Sequence, residues 1–381
     1  MHRFIRLIPS AAVFVLSGLS VLAVTPIVNP YADVNWQAYG KHKANLHTHT
    51  LQHRFREDRA SVFASGLIHA PDGTVLQEAQ EGYDNRNHHP DFDAAKGRWG
   101  GSDGSMTPTA KIDAYRSLGY TILALTDHNR VTWPWQDYGR EPEALGMLAV
   151  QGCEPSRHHH MGSYFNDYNG ASDNVEESIR AVGDRNGLAV IFHPGRYSES
   201  DDWYVNLYKK HDHLIGMEVY NQGDRYSKDR ALWDRVLTQL MPHRPIWGMA
   251  NDDAHRIGHV GRNWQVFLLP ELTEQALRHA MRHGHSFFSY APGGHPQDGG
   301  DPAPVIHAIT VKEAEGTIEV IASGYESIAW ISAGRKIAEG PVLDANGRQG
   351  YVRAELAGKT GRTYTQPFFI GDPQKGTPTE D

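Results

Sequence analysis

The sequence predicts an α/β barrel followed by a small antiparallel β-domain, on three observations. Short apolar runs alternate with amphipathic, helix-like segments from residue 40 to 290. A glycine- and proline-rich stretch, APGGHPQDGGDPAP (291–304), then breaks the alternation. Beyond it the segments are β-type.

Residues 1–32 stand apart from this pattern. MHRFIR carries two arginines, and the chain then runs from Leu7 to Ala32 without a charge. A basic start followed by an apolar stretch is the pattern of an export signal, with Val21-Leu22-Ala23 as a small-residue cleavage site. About 20 apolar residues also span a bilayer, so an uncleaved anchor that attaches the protein to a membrane is the alternative. In either case the basic end stays in the cytoplasm and the rest is exported, to the periplasm or outside the cell.

The apolar runs that follow are YTILALT (120–126), GMLAVQG (146–152), GLAVIF (187–192), IGMEVY (215–220), PIWGMA (245–250) and WQVFLL (264–269). Between them lie TPTAKIDAYRSLG, NVEESIRAVGDRNG, DRALWDRVLTQLM and LTEQALRHAMRHG, several closed by a glycine of the kind that ends helices. Strand and helix in alternation give βαβ units and a parallel sheet, and about seven units favour a closed or nearly closed barrel over an open sheet. After the 291–304 linker, VIHAITVKE, GTIEVIASG, SIAWISAG, GYVRAEL and TYTQPFFIG read as the strands of a β-domain over 305–372. Residues 373–381 form a polar, flexible tail.

The chemistry-bearing residues cluster at the ends of the apolar runs. The chain of 381 residues has 23 histidines, and histidine is the commonest metal ligand. In NLHTHT (45–50), His47 and His49 share one face of an extended strand. Asp127 and His128 end the next run, Glu154 the one after, His193 another, and Asp252, Asp253 and His255 a later one. In a parallel barrel all strand C-termini open on one face, which gathers these residues into one mouth. Alone, an HxH pair is as readily a surface pair, HHH a solvated loop and DDAH a capped turn; together at strand ends they point to a metal site. The single cysteine, Cys153, reads as a buried core thiol and excludes an intramolecular disulfide. A set of His, Asp and Glu suits Zn, Mn or Fe. A formal charge of −8 argues against a nucleic-acid polymer as partner.

Taken in order, HTH, SDG, LTDHN, GCE, HHHMG, HP and DAH resemble the motifs of the polymerase and histidinol phosphatase (PHP) family of metallohydrolases, over residues 41–290. The resemblance implies a distorted (β/α)7 TIM-like barrel, here followed by a β-sandwich-like domain, two or three divalent ions, and hydrolysis of phosphate esters. Residue by residue, His47 and His49 match the HxH pair and Glu154 the carboxylate that bridges two metals. Asp253 and His255 match the DxH pair, with Asp252 an extra acid behind it. His193 matches the histidine of HP, and His128 the TDH ligand, oriented by Asp127. Within HHHMG, His159 has the HxxG spacing to Gly162, and His160 is the alternative. The acid usually close behind HxH is missing where LQHRF stands. An insertion from Leu51 to Gly101 restores it as Asp103 in GGSDGSMTP, with His53 and Asp58 as alternatives, and makes the inserted segment a candidate lid.

Clustered divalent ions lower the pKa of a bridging water and neutralise an anionic substrate. The leading expectation is therefore a phosphoesterase using a metal-bound hydroxide on a small anionic ester. Arg196 would clamp the phosphate through its planar guanidinium, and Tyr197 would contact the leaving group. Trp133, Trp135, Trp203 and Tyr204 are read as rim-loop aromatics that stack on substrate or simply pack. Hydrolysis of a carboxyl ester or carbamate on the same metals is the second reading, and a metal-containing extracellular binding protein the third.

Overall fold

The computed structural model describes residues 25–50, 61–62, 67–69, 75–78, 92–93, 98–99, 106–295 and 301–372. Two curved sheets make the α/β part. One runs through Ser286–Tyr290, Asn263–Leu269, Gly40–Asn45, Ile122–Ala124 and Leu148–Val150. The other runs through Gly152–Cys153, Met161–Tyr164, Leu188–Ile191, Leu214–Asn221 and Trp247–Asn251. Gln151 alone separates the sheets on one side. Beyond the strand ends, Thr48 bridges to Ala254 and His128 to Glu154, both in parallel. These bridges bring the sheets together at the end where the histidines sit.

The strands are not the uniform parallel series that the alternation predicts. Gly40–Asn45, Ile122–Ala124 and Leu148–Val150 are parallel, as are Leu188–Ile191, Leu214–Asn221 and Trp247–Asn251. But Met161–Tyr164 is antiparallel to both its neighbours, and Asn263–Leu269 to both of its own. Chain length decides this. A parallel crossover needs a dozen or more residues, and residues 154–160 and 252–262 are too few to carry one.

Helices Pro108–Ser117, Val175–Asp184, Lys228–Leu240 and Glu274–His283 fall where the amphipathic segments predict. Thr107, Asn174 and Thr273 cap three of them by accepting backbone N–H bonds, and Gly284, at φ +73°, ends the last in the left-handed region. Asp201–Lys210 is a further helix, capped by Ser200. It takes Trp203 and Tyr204 out of the loop in which the sequence reading puts them, and Tyr204 is buried with its hydroxyl on the Pro194 carbonyl. Trp135 is fully buried in a short 3₁₀ turn, Trp135–Tyr138, so it packs rather than lines a rim. Among the described residues no helix is long and apolar enough to cross a membrane.

The β-tail is fused to the α/β part. Ser286–Tyr290 pairs antiparallel with Arg362–Thr365, which continues the first sheet through Gly350–Ala357 and Phe368–Ile370. A three-stranded sheet, Val305–Lys312, Thr317–Ser323 and Val342–Asp344, contributes Ile306, Ile318 and Leu343 to a core shared with Trp330, Leu356 and the barrel residue Phe287. Residues of the expected leader join in. Ile27–Val28 pairs with Phe368–Ile370, and the buried Tyr31 donates to the Ser286 carbonyl while accepting from Gln366 N–H. The Gln366 side chain in turn bonds both backbone groups of Gly248. The fold thus takes up the chain from residue 26 onward, after the Val21-Leu22-Ala23 site.

Candidate metal centre

The mouth is built where the strands end and their backbones still hold one another in register. His47 lies two residues past Gly40–Asn45, and its carbonyl accepts from Asp253 N–H at 2.8 Å. Asp253 and His193 sit at φ +45° and +29°, conformations that bulky residues rarely adopt. Backbone strain of this kind is tolerated where the surroundings fix a side chain for a purpose.

Glu154 is the centre. It is fully buried, and ring nitrogens of five histidines surround its carboxylate: His160 Nδ1 at 2.7 Å, His128 Nδ1 at 2.8 Å, His49 Nε2 at 3.2 Å, and His47 Nε2 and His193 Nε2 at 3.4 Å. Asp253 Oδ1 closes the other side, 3.0 Å from His49 Nε2, 3.4 Å from His47 Nε2 and 3.3 Å from His255 Nδ1. The donors fall into overlapping triads, with every ligand atom of a triad within 4.8 Å of the others. These are His47, His49 and Glu154; His128, Glu154 and His160; His49, His128 and His255; and His47, His193 and Asp253.

The spacing fits divalent ions better than it fits hydrogen bonds. His47 Nε2 and His49 Nε2 are 3.2 Å apart. Ligands bound at about 2.1 Å lie roughly 3.0–3.4 Å from one another in octahedral or tetrahedral coordination, the range seen among His47, His49, Glu154 and Asp253. Glu218 fixes the chemistry of His47. Its Oε1 takes the His47 Nδ1 proton at 2.8 Å, which turns the Nε2 lone pair toward two carboxylates. That arrangement needs either a second proton or a cation at Nε2, and a carboxylate behind a ligand histidine is the usual support of a metal site. His193 Nδ1 is likewise buried without a hydrogen-bond partner among the described residues.

The electrostatics agree. Burial opposes charge on His47, but Glu218, Asp253 and Glu154 together hold its pKa well above the usual imidazole value. Burial also opposes charge on Glu154, and His128, His160 and His47 outweigh it, keeping the carboxyl well below its ordinary range. His49, by contrast, is pulled down to about 4 by burial and by His255 and His128. The mouth presents ionised carboxylates beside imidazoles of which some are held neutral, the protonation state a metal requires.

Of the residues expected from sequence, His47, His49, His128, Glu154, His193, Asp253 and His255 converge here. His159 does not. Its Nε2 pairs with Glu199 at 3.2 Å and its ring packs on Tyr197 and Trp203, so His160 takes the place at Glu154. The pleat decides between them: the His160 carbonyl accepts from Phe192 N–H, extending the Met161–Tyr164 ladder by one residue and aiming His160 inward. Asp103 lies outside the described residues, as do His53 and Asp58.

The other expected residues make these contacts. Asp127, read as the partner of His128, accepts from Thr50 N–H (2.6 Å), Thr50 Oγ1 (2.7 Å) and the Thr132 hydroxyl, tying the HTHT segment to the next loop. Tyr197, read as a leaving-group contact, accepts from His160 N–H at 2.9 Å and so braces a ligand. Arg196 is exposed on the rim, with Nη1 3.4 Å from His160 Nε2. Asp252 accepts from the backbone N–H groups of Gly261, Arg262 and Asn263 and from Tyr115 OH, which places it behind the site. Cys153 is buried, as its position opposite Glu154 along the strand implies.

Two residues of the site escaped the sequence reading. Glu218, besides His47, accepts from His193 N–H, Asn221 Nδ2 and Asn251 Nδ2, each within 2.9 Å. Its signal was a lone acid inside IGMEVY, since a buried Glu almost always has partners. Lys111 is fully buried under the mouth with Nζ on the Ala254 carbonyl at 2.7 Å. Burial brings it down to about 7, against Asp127, Asp252 and Asp253.

No family model and no curated protein matches this chain. Among solved structures it is similar to a two-domain protein from Bacteroides vulgatus described as containing a predicted PHP-like metal-dependent phosphoesterase. That match has 14% identity, covers 88% of this chain and 96% of the other, and has a TM-score of 0.43. An amidohydrolase from Chromobacterium violaceum, solved with sulfate and no metal, is 17% identical over 40% of this chain and 84% of its own, with a TM-score of 0.32. A lesion-specific endonuclease from Pyrococcus furiosus is 13% identical over 64% of this chain and 56% of its own, with a TM-score of 0.35.

Proposed function

We propose that the chain is a metal-dependent hydrolase of the PHP type acting on a small phosphate ester. The observation that carries this reading is the shell of five imidazoles and Asp253 around the buried Glu154, at spacings that suit coordinated ions. His47, His49, Glu154 and Asp253 would hold one ion, and His128, Glu154 and His160 a second. His193 and His255 border both, so two or three ions fit the donor set. Bound there, such ions acidify water and neutralise an anionic substrate.

The chain's own residues do the rest. Glu218 fixes the tautomer of His47 and the backbone of His193. Tyr197 holds His160 in line through its N–H. Arg196, exposed beside His160, is free to meet phosphoryl oxygens in a two-point contact that suits phosphate better than a neutral ester. Export, read from the charge-free run after MHRFIR, belongs to the same proposal.

The test is hydrolysis by the metal-loaded chain on phosphomonoesters, phosphodiesters, carboxyl esters and carbamates, with Arg196→Ala beside it. Phosphate release that falls selectively in Arg196→Ala is the expected result. Turnover of carboxyl esters or carbamates alone would overturn the phosphate assignment. A metal-loaded chain that turns over none of the four classes would overturn the hydrolase reading itself.

A further inference from the structure

Outside the mouth, a second group of histidines is placed as metal ligands are. His279 and His283 lie one turn apart on Glu274–His283, with ring centres 4.3 Å apart. The left-handed Gly284 then reverses the chain and brings His285 back against the same face, 5.2 Å from His279 and 5.9 Å from His283. An imidazole bound at about 2.1 Å sets its ring centre roughly 3.2 Å from the ion, so rings sharing an ion lie about 4.5–5.2 Å apart. The His279–His285 pair stands at the upper end of that range, His279–His283 just under it and His283–His285 beyond it. The three rings face one another, and His285 is buried.

We propose that His279, His283 and His285 form a second metal site, separate from the mouth, for an imidazole-preferring divalent ion such as zinc. His279 and His283 are exposed, so rotation of their side chains closes the set around an ion without moving the backbone. The rings are suited to receive one: burial and the neighbouring His279 and His283 hold His285 down to about 4, and burial and His279 lower His283. The Asp33 carboxylate acts on both and offsets the adjacent Arg282.

The site lies at the far end of the barrel from the mouth. Asn263 pairs with Tyr290 beside Asn45, at the mouth, whereas His285 precedes the opposite end of the same strand. Asp33 follows Tyr31, whose hydroxyl is bonded to the Ser286 carbonyl.

Equilibrium dialysis of the full chain against buffered zinc tests this. The wild type should retain one ion per chain more than His279→Ala/His283→Ala, and the extra ion should persist in Glu154→Gln, which damages only the mouth. His279→Gln, a single exposed change, should weaken that ion's binding by at least the roughly 10–100-fold that loss of an outer partner costs. Zinc should raise the melting temperature of Glu154→Gln and leave that of Glu154→Gln/His279→Ala/His283→Ala where it was. Equal zinc in the wild type and the double variant would overturn the proposal, and so would loss of the extra ion in Glu154→Gln.

Discussion

At the junction with the β-domain, one buried Arg353 meets two carboxylates, Asp234 and Glu355; at the mouth, a single Glu154 meets five imidazoles. The junction pair is a two-point contact, Nε–Oδ1 at 2.9 Å and Nη2–Oδ2 at 2.8 Å, and Tyr351 OH fills the remaining lone pair at 2.6 Å. The remaining guanidinium nitrogen, Nη1, donates to Glu355, and the Asp234–Arg353 pair joins Lys228–Leu240 to Gly350–Ala357. At the mouth the acceptors are in surplus. His47 Nε2 faces Glu154 and Asp253 because Glu218 already holds its other proton. Burial of charge is common to both regions, so burial does not mark the functional one. The mark is a shell whose balance needs a second proton on His47 or a bound cation in its place.

Substitution should separate the two kinds of burial. Glu154→Gln removes the shared carboxylate, and we expect activity to fall by more than the roughly 100-fold that loss of an outer partner costs. Metal content should drop with it while the fold persists, as read by elemental analysis and circular dichroism. Arg353→Ala should do the reverse, costing about 3–5 kcal/mol in urea unfolding because Asp234 is left buried without its cation. Metal content per folded chain should stay unchanged. Replacing both partners by Leu and Met should recover most of that loss, whereas no apolar pair should recover activity at the mouth.

Glu218→Gln sharpens the comparison further. It keeps the shape but weakens the hold on the His47 proton, and metal affinity should fall about 10–100-fold. Stability of the metal-free protein should change far less than in Arg353→Ala.

A pH dependence extends the comparison. Asp229 accepts from Gly195 N–H and so positions the turn that carries His193 and Arg196. Burial raises its pKa from 3.8 to about 8, against the Gly195 bond. A carboxyl raised on folding contributes its stability in full below the unfolded value and loses it as pH rises through the folded one. Between pH 4 and 8 the wild type should therefore lose stability relative to Asp229→Asn, by at most about 1.4 kcal/mol per pH unit. Parallel stability curves for the two proteins across that range would show that Asp229 stays ionised.

The sequence by itself placed seven of the nine expected donors where they gather. His47, His49, His128, Glu154, His193, Asp253 and His255 sit in short motifs at the ends of apolar runs, and strand ends that open on one face must bring them together. Such information is contiguous in the chain. Tertiary structure decided what no local count can hold. His160 rather than His159 faces Glu154 because pairing with Phe192 sets the phase of the pleat. Glu218 supports His47 across 171 positions, and nothing in IGMEVY names that partner. The antiparallel strands follow from loop lengths that the alternation of apolar runs concealed. The β-tail shares the barrel's sheet because edge strands pair with whatever edge the fold presents, and only the assembled chain presents one.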